Sequence, residues 1–274
     1  MISCLLTTFI EDEILKSTCD FNPDRIMGGE VVYEVLKVEQ GVPLFLEKHL
    51  ARFNQSLSLA KIPVPSEEMI RHSLQSLIET NKLRQGNIRF QIALQQNNTI
   101  HWSCWVSPHL YPSLKQYDEG VHTGVFKSER QHPEIKRWND RFKTDISSFL
   151  NKTGFHEALL MNSHGLITEG SRSNVFFIIK NQVITPEIRW VLPGVTRSVV
   201  IELINTLQLS FVEEPVTQAV LSQIDAAFIT GTSPGILPIQ SIDQKTLNTD
   251  HPITCSLQES YKQLCSTYFH HFHW

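Results

Sequence analysis

Five consecutive apolar residues, Val175-Phe176-Phe177-Ile178-Ile179, follow the polar stretch Thr168-Glu169-Gly170-Ser171-Arg172-Ser173-Asn174. A β-branched and aromatic run without alternation is the pattern of a strand covered on both faces. A glutamate at the mouth of such a strand is partly desolvated and needs a positive partner to stay ionised. Taken alone, Glu169 reads as an exposed turn residue. The partner has to come from elsewhere in the chain.

The length of 274 residues allows one large domain or two modest ones. A hydrophobic content of 41% against 19% charged residues describes a soluble globular protein, and a formal charge of −4 leaves no electrostatic footprint for nucleic acid. No apolar run reaches the length of a membrane span. The amino-terminal segment lacks a basic leader, so no signal peptide is expected. Five cysteines, Cys4, Cys19, Cys104, Cys255 and Cys265, form no CxxC motif and suit free thiols in a cytoplasmic setting. His270, His271 and His273 sit in an aromatic-rich tail that reads as a docking segment rather than a metal site.

Residues 31–38 read as a strand and residues 41–46 as its return. Leu46, Leu50, Phe53, Leu57 and Ala60 then recur at helical spacing, with Pro63 and Pro65 as the stop. A second helix is expected over 67–82, followed by two strands around a Gln-Asn-Asn turn. The Pro-, Ser- and charge-rich segment between Ser107 and Gly120 is the best boundary. This divides the chain into a domain over 1–110, a linker over 111–120, and a larger, mostly sheet domain over 121–274. The expected class is α+β.

Four features offer chemistry. Lys136 follows an apolar Ile135 ahead of an expected helix, 33 residues upstream of Glu169. Pro193 and Gly194 fix a turn that leaves the amides of Val195 and Thr196 at a helix start, where an anion is favoured. Thr232 and Ser233 add hydroxyls and amides in the small-residue turn 230–235. Arg52, on the polar side of the first helix, is a candidate phosphate clamp. Each is weak alone.

Together, in the order VYEVLKV, GVPLFLEKHLARF, IKRWN, ITEGSRSNVFF, LPGVTR and TGTS, these stretches resemble the class IV aminotransferases, the fold type IV pyridoxal-phosphate enzymes. The match runs from about residue 25 to about 245. The resemblance implies a D-amino-acid-aminotransferase-like two-domain fold with pyridoxal 5′-phosphate as cofactor. It makes Lys136 the Schiff-base lysine and proton shuttle. Glu169 becomes the carboxylate facing the pyridine nitrogen, so that its positive partner is the cofactor ring rather than a side chain. Arg52, Val195, Thr196, Thr232 and Ser233 become phosphate ligands, and a homodimer is the implied assembly.

The substrate is less sharply marked. Tyr33 matches a tyrosine near the substrate carboxylate in D-amino-acid aminotransferases, but Leu94 and Gln95 replace the Arg-Gly of that group. Arg89 matches the Ile-Arg pair of branched-chain enzymes and can orient either a substrate carboxylate or a pocket tyrosine. Gly28, Gly29 and Glu30 replace the usual Gly-Asp-Gly, while Arg141 and Arg172 stand where relatives carry a tyrosine and a small residue. If both arginines face inward, a dicarboxylate or chorismate-like substrate fits. The readings are therefore an aminotransferase acting on an amino acid and a 2-oxo acid, a lyase acting on 4-amino-4-deoxychorismate, or a non-catalytic relative. The lyases carry threonine where Tyr33-Glu34 stand, which argues mildly against the second.

Overall fold

The computed structural model describes residues 2–274. The chain divides into two compact units. The first comprises 1–110, 135–138 and 265–274, and the second comprises 111–134 and 139–264. Neither follows a simple cut of the sequence.

The first unit is built on a six-stranded antiparallel sheet of order β2-β1-β6-β5-β3-β4. Its strands are β1 (Thr8–Glu11), β2 (Ile14–Ser17), β3 (Glu30–Glu39), β4 (Val42–Pro43), β5 (Gln85–Leu94) and β6 (Ile100–Ser107). The β1–β2 hairpin carries no strong alternation, so no periodic signal marks it in the sequence. The expected return strand over 41–46 shrinks to Val42–Pro43, because Phe45 adopts a left-handed conformation (φ 53°) and starts a helix at Leu46. Helices α1 (Leu46–Leu59) and α2 (Glu67–Thr80) follow the expected periodicity. Leu46, Leu50, Phe53 and Leu57 of α1 and Ile70, Leu74 and Leu77 of α2 pack with Val32, Leu36, Val38, Ile88 and Phe90 of the sheet in one core. Full burial of each such side chain contributes roughly 1.5–3 kcal/mol.

Strand β3 is buried on both faces over Val31–Glu34. Side chains alternate across a strand, so Val32, Glu34 and Leu36 share one face while Val31, Tyr33 and Val35 share the other. Residues 135–138 attach to β3 through the amide of Tyr33 donating to the Lys136 carbonyl (3.0 Å) and that of Trp138 donating to the Val31 carbonyl (2.9 Å).

The second unit holds a ten-stranded mixed sheet in which β12-β11-β10-β14-β15-β7-β8-β9-β13 form the path and β16 pairs with β15. The segment expected as a linker carries a helix instead, α3 (Leu114–Glu119), with a capping box between Ser113 and Gln116. Strands β7 (Val121–Lys127), β8 (Glu157–Met161), β9 (Leu166–Gly170), β10 (Asn174–Ile179), β11 (Gln182–Thr185), β12 (Ser210–Glu213), β13 (Val216–Thr217), β14 (Ala226–Gly231), β15 (Gly235–Ile242) and β16 (Lys245–Thr246) are joined by α4 (Asp140–Thr153) and α5 (Val195–Thr206). The apolar run Val175–Ile179 lies in β10. Val175, Phe176, Phe177 and Ile178 are all fully buried, with Phe176 and Ile178 in one core and Val175 and Phe177 in another. Phe176 stacks on Phe228 of β14, with centroids 5.0 Å apart.

The carboxy-terminal segment is a helix, α6 (Pro252–His271). Its last turns belong to the first unit, where the Tyr268 hydroxyl accepts from the Leu46 amide (3.1 Å) and donates to Glu47 (2.8 Å). Among the described residues no helix is long and apolar enough to cross a membrane.

Candidate active site

In the first unit, Lys136 is held by its backbone. Its carbonyl accepts from Tyr33 on β3, and its amide donates to the Ser56 hydroxyl of α1 at 3.3 Å. The buried Ile135 anchors the same strip in the core. Its Nζ lies 4.9 Å from the centroid of the Tyr33 ring. The backbone is therefore fixed on two sides, and placement of the amine is left to side-chain torsions.

Arg89 belongs to this cluster. Its guanidinium carbon lies 4.3 Å from the ring centroids of both Tyr33 and Trp138, and Nε donates to Gln91 at 2.9 Å. Tyr33 and Trp138 pack edge to face with centroids 5.7 Å apart. A cation between two aromatic faces orders both rings. Arg89 is buried.

Arg52 is also buried, although helical periodicity put it on the polar side of α1. The reason is Glu34, which is fully buried on the helix-facing side of β3. Arg52 Nε and Nη2 donate to the two Glu34 oxygens at 2.7 Å each, and His49 Nδ1 lies 2.8 Å from Oε2. Burial raises the Glu34 pKa, but the charge of Arg52 and the hydrogen bonds from His49 and Arg52 overcome it and hold the group at about 2. Burial pushes the pKa of His49 down, so its ring is neutral and Nδ1 donates to Glu34. Glu34 and His49 were missed because an isolated charge in an apolar strand and a histidine on a helix carry no periodic signal.

In the second unit, Glu169 is 2% exposed. Its positive partner is a side chain after all: Arg130 Nε donates to Oε1 at 2.7 Å. Arg130 Nη2 reaches the Ser171 carbonyl (3.1 Å), and its guanidinium carbon lies 4.9 Å from the centroid of the Phe142 ring. The amide of Leu192 donates to Oε2 at 3.0 Å. This corrects the expectation that the cofactor ring alone supplies the positive partner. Arg130 stands 39 positions before Glu169, in a stretch without a motif.

Asn174 links Glu169 to the expected phosphate ligands. Its Nδ2 donates to the Leu192 carbonyl at 2.9 Å, and a Cβ at Gly194 would overlap its Oδ1. Asn174 also pairs in register with Thr230 of β14, which leads into the turn holding Thr232 and Ser233. Gly194 is the N-cap of α5 and has no side chain, so it makes no side-chain cap to the first amides of that helix, Val195 and Thr196. The Thr230 hydroxyl is buried with no hydrogen-bond partner among the described residues. Glu169, Val195, Thr196, Thr232 and Ser233 therefore radiate from the neighbourhood of one asparagine.

Arg172 is exposed, and its Nη2 donates to the His156 carbonyl at 2.8 Å. Burial, with the Arg172 charge adding to it, lowers the His156 pKa against the opposing effect of Glu157. Arg141, in the first turn of α4, is exposed. Neither arginine is buried in its unit.

Comparison with known proteins bears on this arrangement. The family model for class IV amino-transferases matches residues 31–242. The chain is 29% identical over 250 residues to a D-alanine aminotransferase of Bacillus licheniformis, covering 86% of this chain and 88% of that protein. It is 30% identical over 257 residues to a putative branched-chain-amino-acid aminotransferase of Methanocaldococcus jannaschii, covering 87% and 88%. In fold it is similar to the branched-chain amino acid aminotransferase of Escherichia coli (TM-score 0.86, 19% identity, 95% of each chain). It is also similar in fold to a putative 4-amino-4-deoxychorismate lyase of Legionella pneumophila (TM-score 0.78, 23% identity, 89% of this chain and 95% of that one). The chain belongs to the class IV aminotransferases, enzymes that work with pyridoxal 5′-phosphate.

Proposed function

We propose that the protein moves an amino group between an amino acid of branched-chain type and a 2-oxo acid, with Lys136 as the reactive amine and Glu169 as the partner of the cofactor's ring nitrogen. The observation that carries this reading is the similarity to two aminotransferases over 86–87% of the chain, and every expected cofactor residue falls within residues 31–242, the span of the family match.

The residues of the second unit fit the cofactor. The uncapped start of α5, the partnerless Thr230 hydroxyl and the Thr232–Ser233 turn form a donor set suited to a phosphate monoester. Glu169, oriented by Arg130 and Leu192, supplies a fixed carboxylate for a protonated ring nitrogen. When bound, pyridoxal 5′-phosphate supplies an electron-withdrawing ring that accepts the electrons left as the substrate Cα loses its proton.

The remaining roles belong to side chains of this chain. Lys136 Nζ takes the Cα proton and returns one to the opposite end of the reacting system. Its pinned backbone limits the motion this needs. Val195, Thr196, Thr232 and Ser233 hold the phosphate, and Arg52, oriented by Glu34, contributes positive charge. Arg89 keeps the Tyr33 ring in place beside the lysine, which favours its reading as the residue that orients a pocket tyrosine. A homodimer in the cytoplasm completes the proposal.

The fold likeness to the Legionella protein, of which this chain covers 95%, keeps the lyase as the second reading. A panel of amino donors separates them. An aminotransferase loses the visible absorbance of its cofactor on addition of a branched-chain amino acid and regains it with a 2-oxo acid. A lyase releases pyruvate from aminodeoxychorismate with no 2-oxo acid added, and that result overturns the proposal.

A further inference from the structure

The second unit holds a buried carboxylate that the proposed chemistry leaves unused. Glu157, the first residue of β8, is 2% exposed. Its Oε1 accepts from the Ala158 amide (2.9 Å), the Ser171 amide (3.2 Å) and the Ser171 hydroxyl (2.5 Å). Its Oε2 accepts from the Arg172 amide (3.3 Å) and the Ser173 hydroxyl (2.9 Å). A carboxylate offers about four lone-pair sites, so this one is saturated. All but one of its donors come from residues 171–173, the turn that follows Glu169.

Glu169 itself lies in an irregularity of the sheet. Leu159 pairs with Gly170 and Met161 with Ile167, so Thr168 and Glu169 together oppose Leu160. Such a bulge re-aims a side chain. A slip of one residue would turn Glu169 to the other face of the sheet. The turn after the bulge is closed by the Gly170 amide donating to the Ser173 carbonyl and the Ser171 amide donating to the Ala158 carbonyl, both at 2.8 Å. A Cβ at Gly170 would overlap the Ser173 hydroxyl and press on the Glu157 carboxylate. Asn174, which touches Leu192 and Gly194, is the next residue along.

We infer that Glu157 is a positioning residue that locks the bulge carrying Glu169 and, through Asn174, the start of helix α5. One buried carboxylate thereby sets both the acid that faces the cofactor ring and the amides that face its phosphate. The inference rests on the cofactor reading of Glu169. Glu157 touches neither substrate nor cofactor in it.

The test is Glu157→Gln, which keeps the shape but places an NH2 group against donors. Cofactor-free wild type and variant are titrated with pyridoxal 5′-phosphate, and the absorbance of the bound cofactor is followed across pH. The expected result is cofactor binding weakened about tenfold or more, a changed pH profile of the visible band, and a larger fall in kcat than rise in KM. A purely structural role would lower the melting temperature and leave affinity, band and pH profile unchanged in the folded protein, which overturns the inference. If Glu157→Gln does not fold, the double variant Ser171→Ala/Ser173→Ala removes two donors and keeps the carboxylate. A smaller effect of the same sign supports the lock, and an unchanged affinity and band overturn it. A wild type that takes up no cofactor overturns the functional reading and this inference with it. A wild type that binds, beside a variant that binds equally well, overturns this inference alone.

Discussion

The carboxylate of Glu34 and the guanidinium of Arg52 meet through two hydrogen bonds of 2.7 Å inside the core of the first unit, and the His49 ring closes on the same carboxylate. Removing one member leaves the other charge buried and unpaired. Glu34→Ala is expected to destabilise the protein by about 3–5 kcal/mol. The double variant Glu34→Leu/Arg52→Met is expected to lose less than the sum of the single changes. Chemical denaturation of the set as a double-mutant cycle measures both.

The same triad sets an acid limit. Folded His49 resists protonation below its ordinary 6.5, and folded Glu34 resists it from 4.5 down to about 2. The unfolded chain binds those protons first, so stability is full at neutral pH and is lost as pH falls. The loss starts below about 6.5 through His49 and continues below about 4.5 through Glu34. Urea midpoints across pH 4 to 8 should show this slope. His49→Gln should flatten its upper part.

Lys136 is anchored by backbone contacts, so Lys136→Ala should leave thermal stability within about 1 kcal/mol of wild type. It should abolish the visible absorbance of the covalently held cofactor and the exchange of amino groups. Absorbance and a melting curve on the same sample check both. Turnover retained in the variant would refute the assigned role.

Arg130 aligns Glu169, and a hydrogen bond between charged partners contributes about 1.5–3 kcal/mol. Arg130→Met keeps most of the apolar stem beside Phe142 and removes that bond. Cofactor affinity is expected to fall roughly 10- to 100-fold. Titration of the cofactor-free variant measures it.

Phe176 and Phe228 stack with an interplanar angle of 8°, both fully buried. Phe176→Ala opens a cavity beside Phe228 in one buried core of the second unit and should cost about 3–5 kcal/mol. Thermal melting tests this, and a cost below 1 kcal/mol would mean that the core collapses around the gap.

What could be read from the chain alone was local. The spacing of Leu50, Phe53 and Leu57 marks α1, and the apolar run at 175–179 marks β10, because periodicity is written in neighbouring residues. Arg130 with Glu169, and Glu34 with Arg52 and His49, are pairings set by tertiary packing. The bulge at Thr168–Glu169 exists only relative to Leu160 on another strand. Arg52 was placed on a polar face because its spacing on α1 is polar, yet that face meets a buried carboxylate. The helix over Leu114–Glu119 hid in a segment whose proline and serine suggested a linker, although Ser113 and Gln116 spell out its cap.

The strip of four residues from Ile135 to Trp138 has a consequence for assembly on the ribosome. A nascent chain that has emerged only to Leu110 already contains every strand of the first sheet. The Val31 carbonyl and the Tyr33 amide on the outer edge of β3 still await their partners. An uncovered edge of this kind invites pairing with another chain. Its cover and the amine proposed to react arrive in the same tetrapeptide, so the edge of the sheet is sealed only by the segment that carries Lys136.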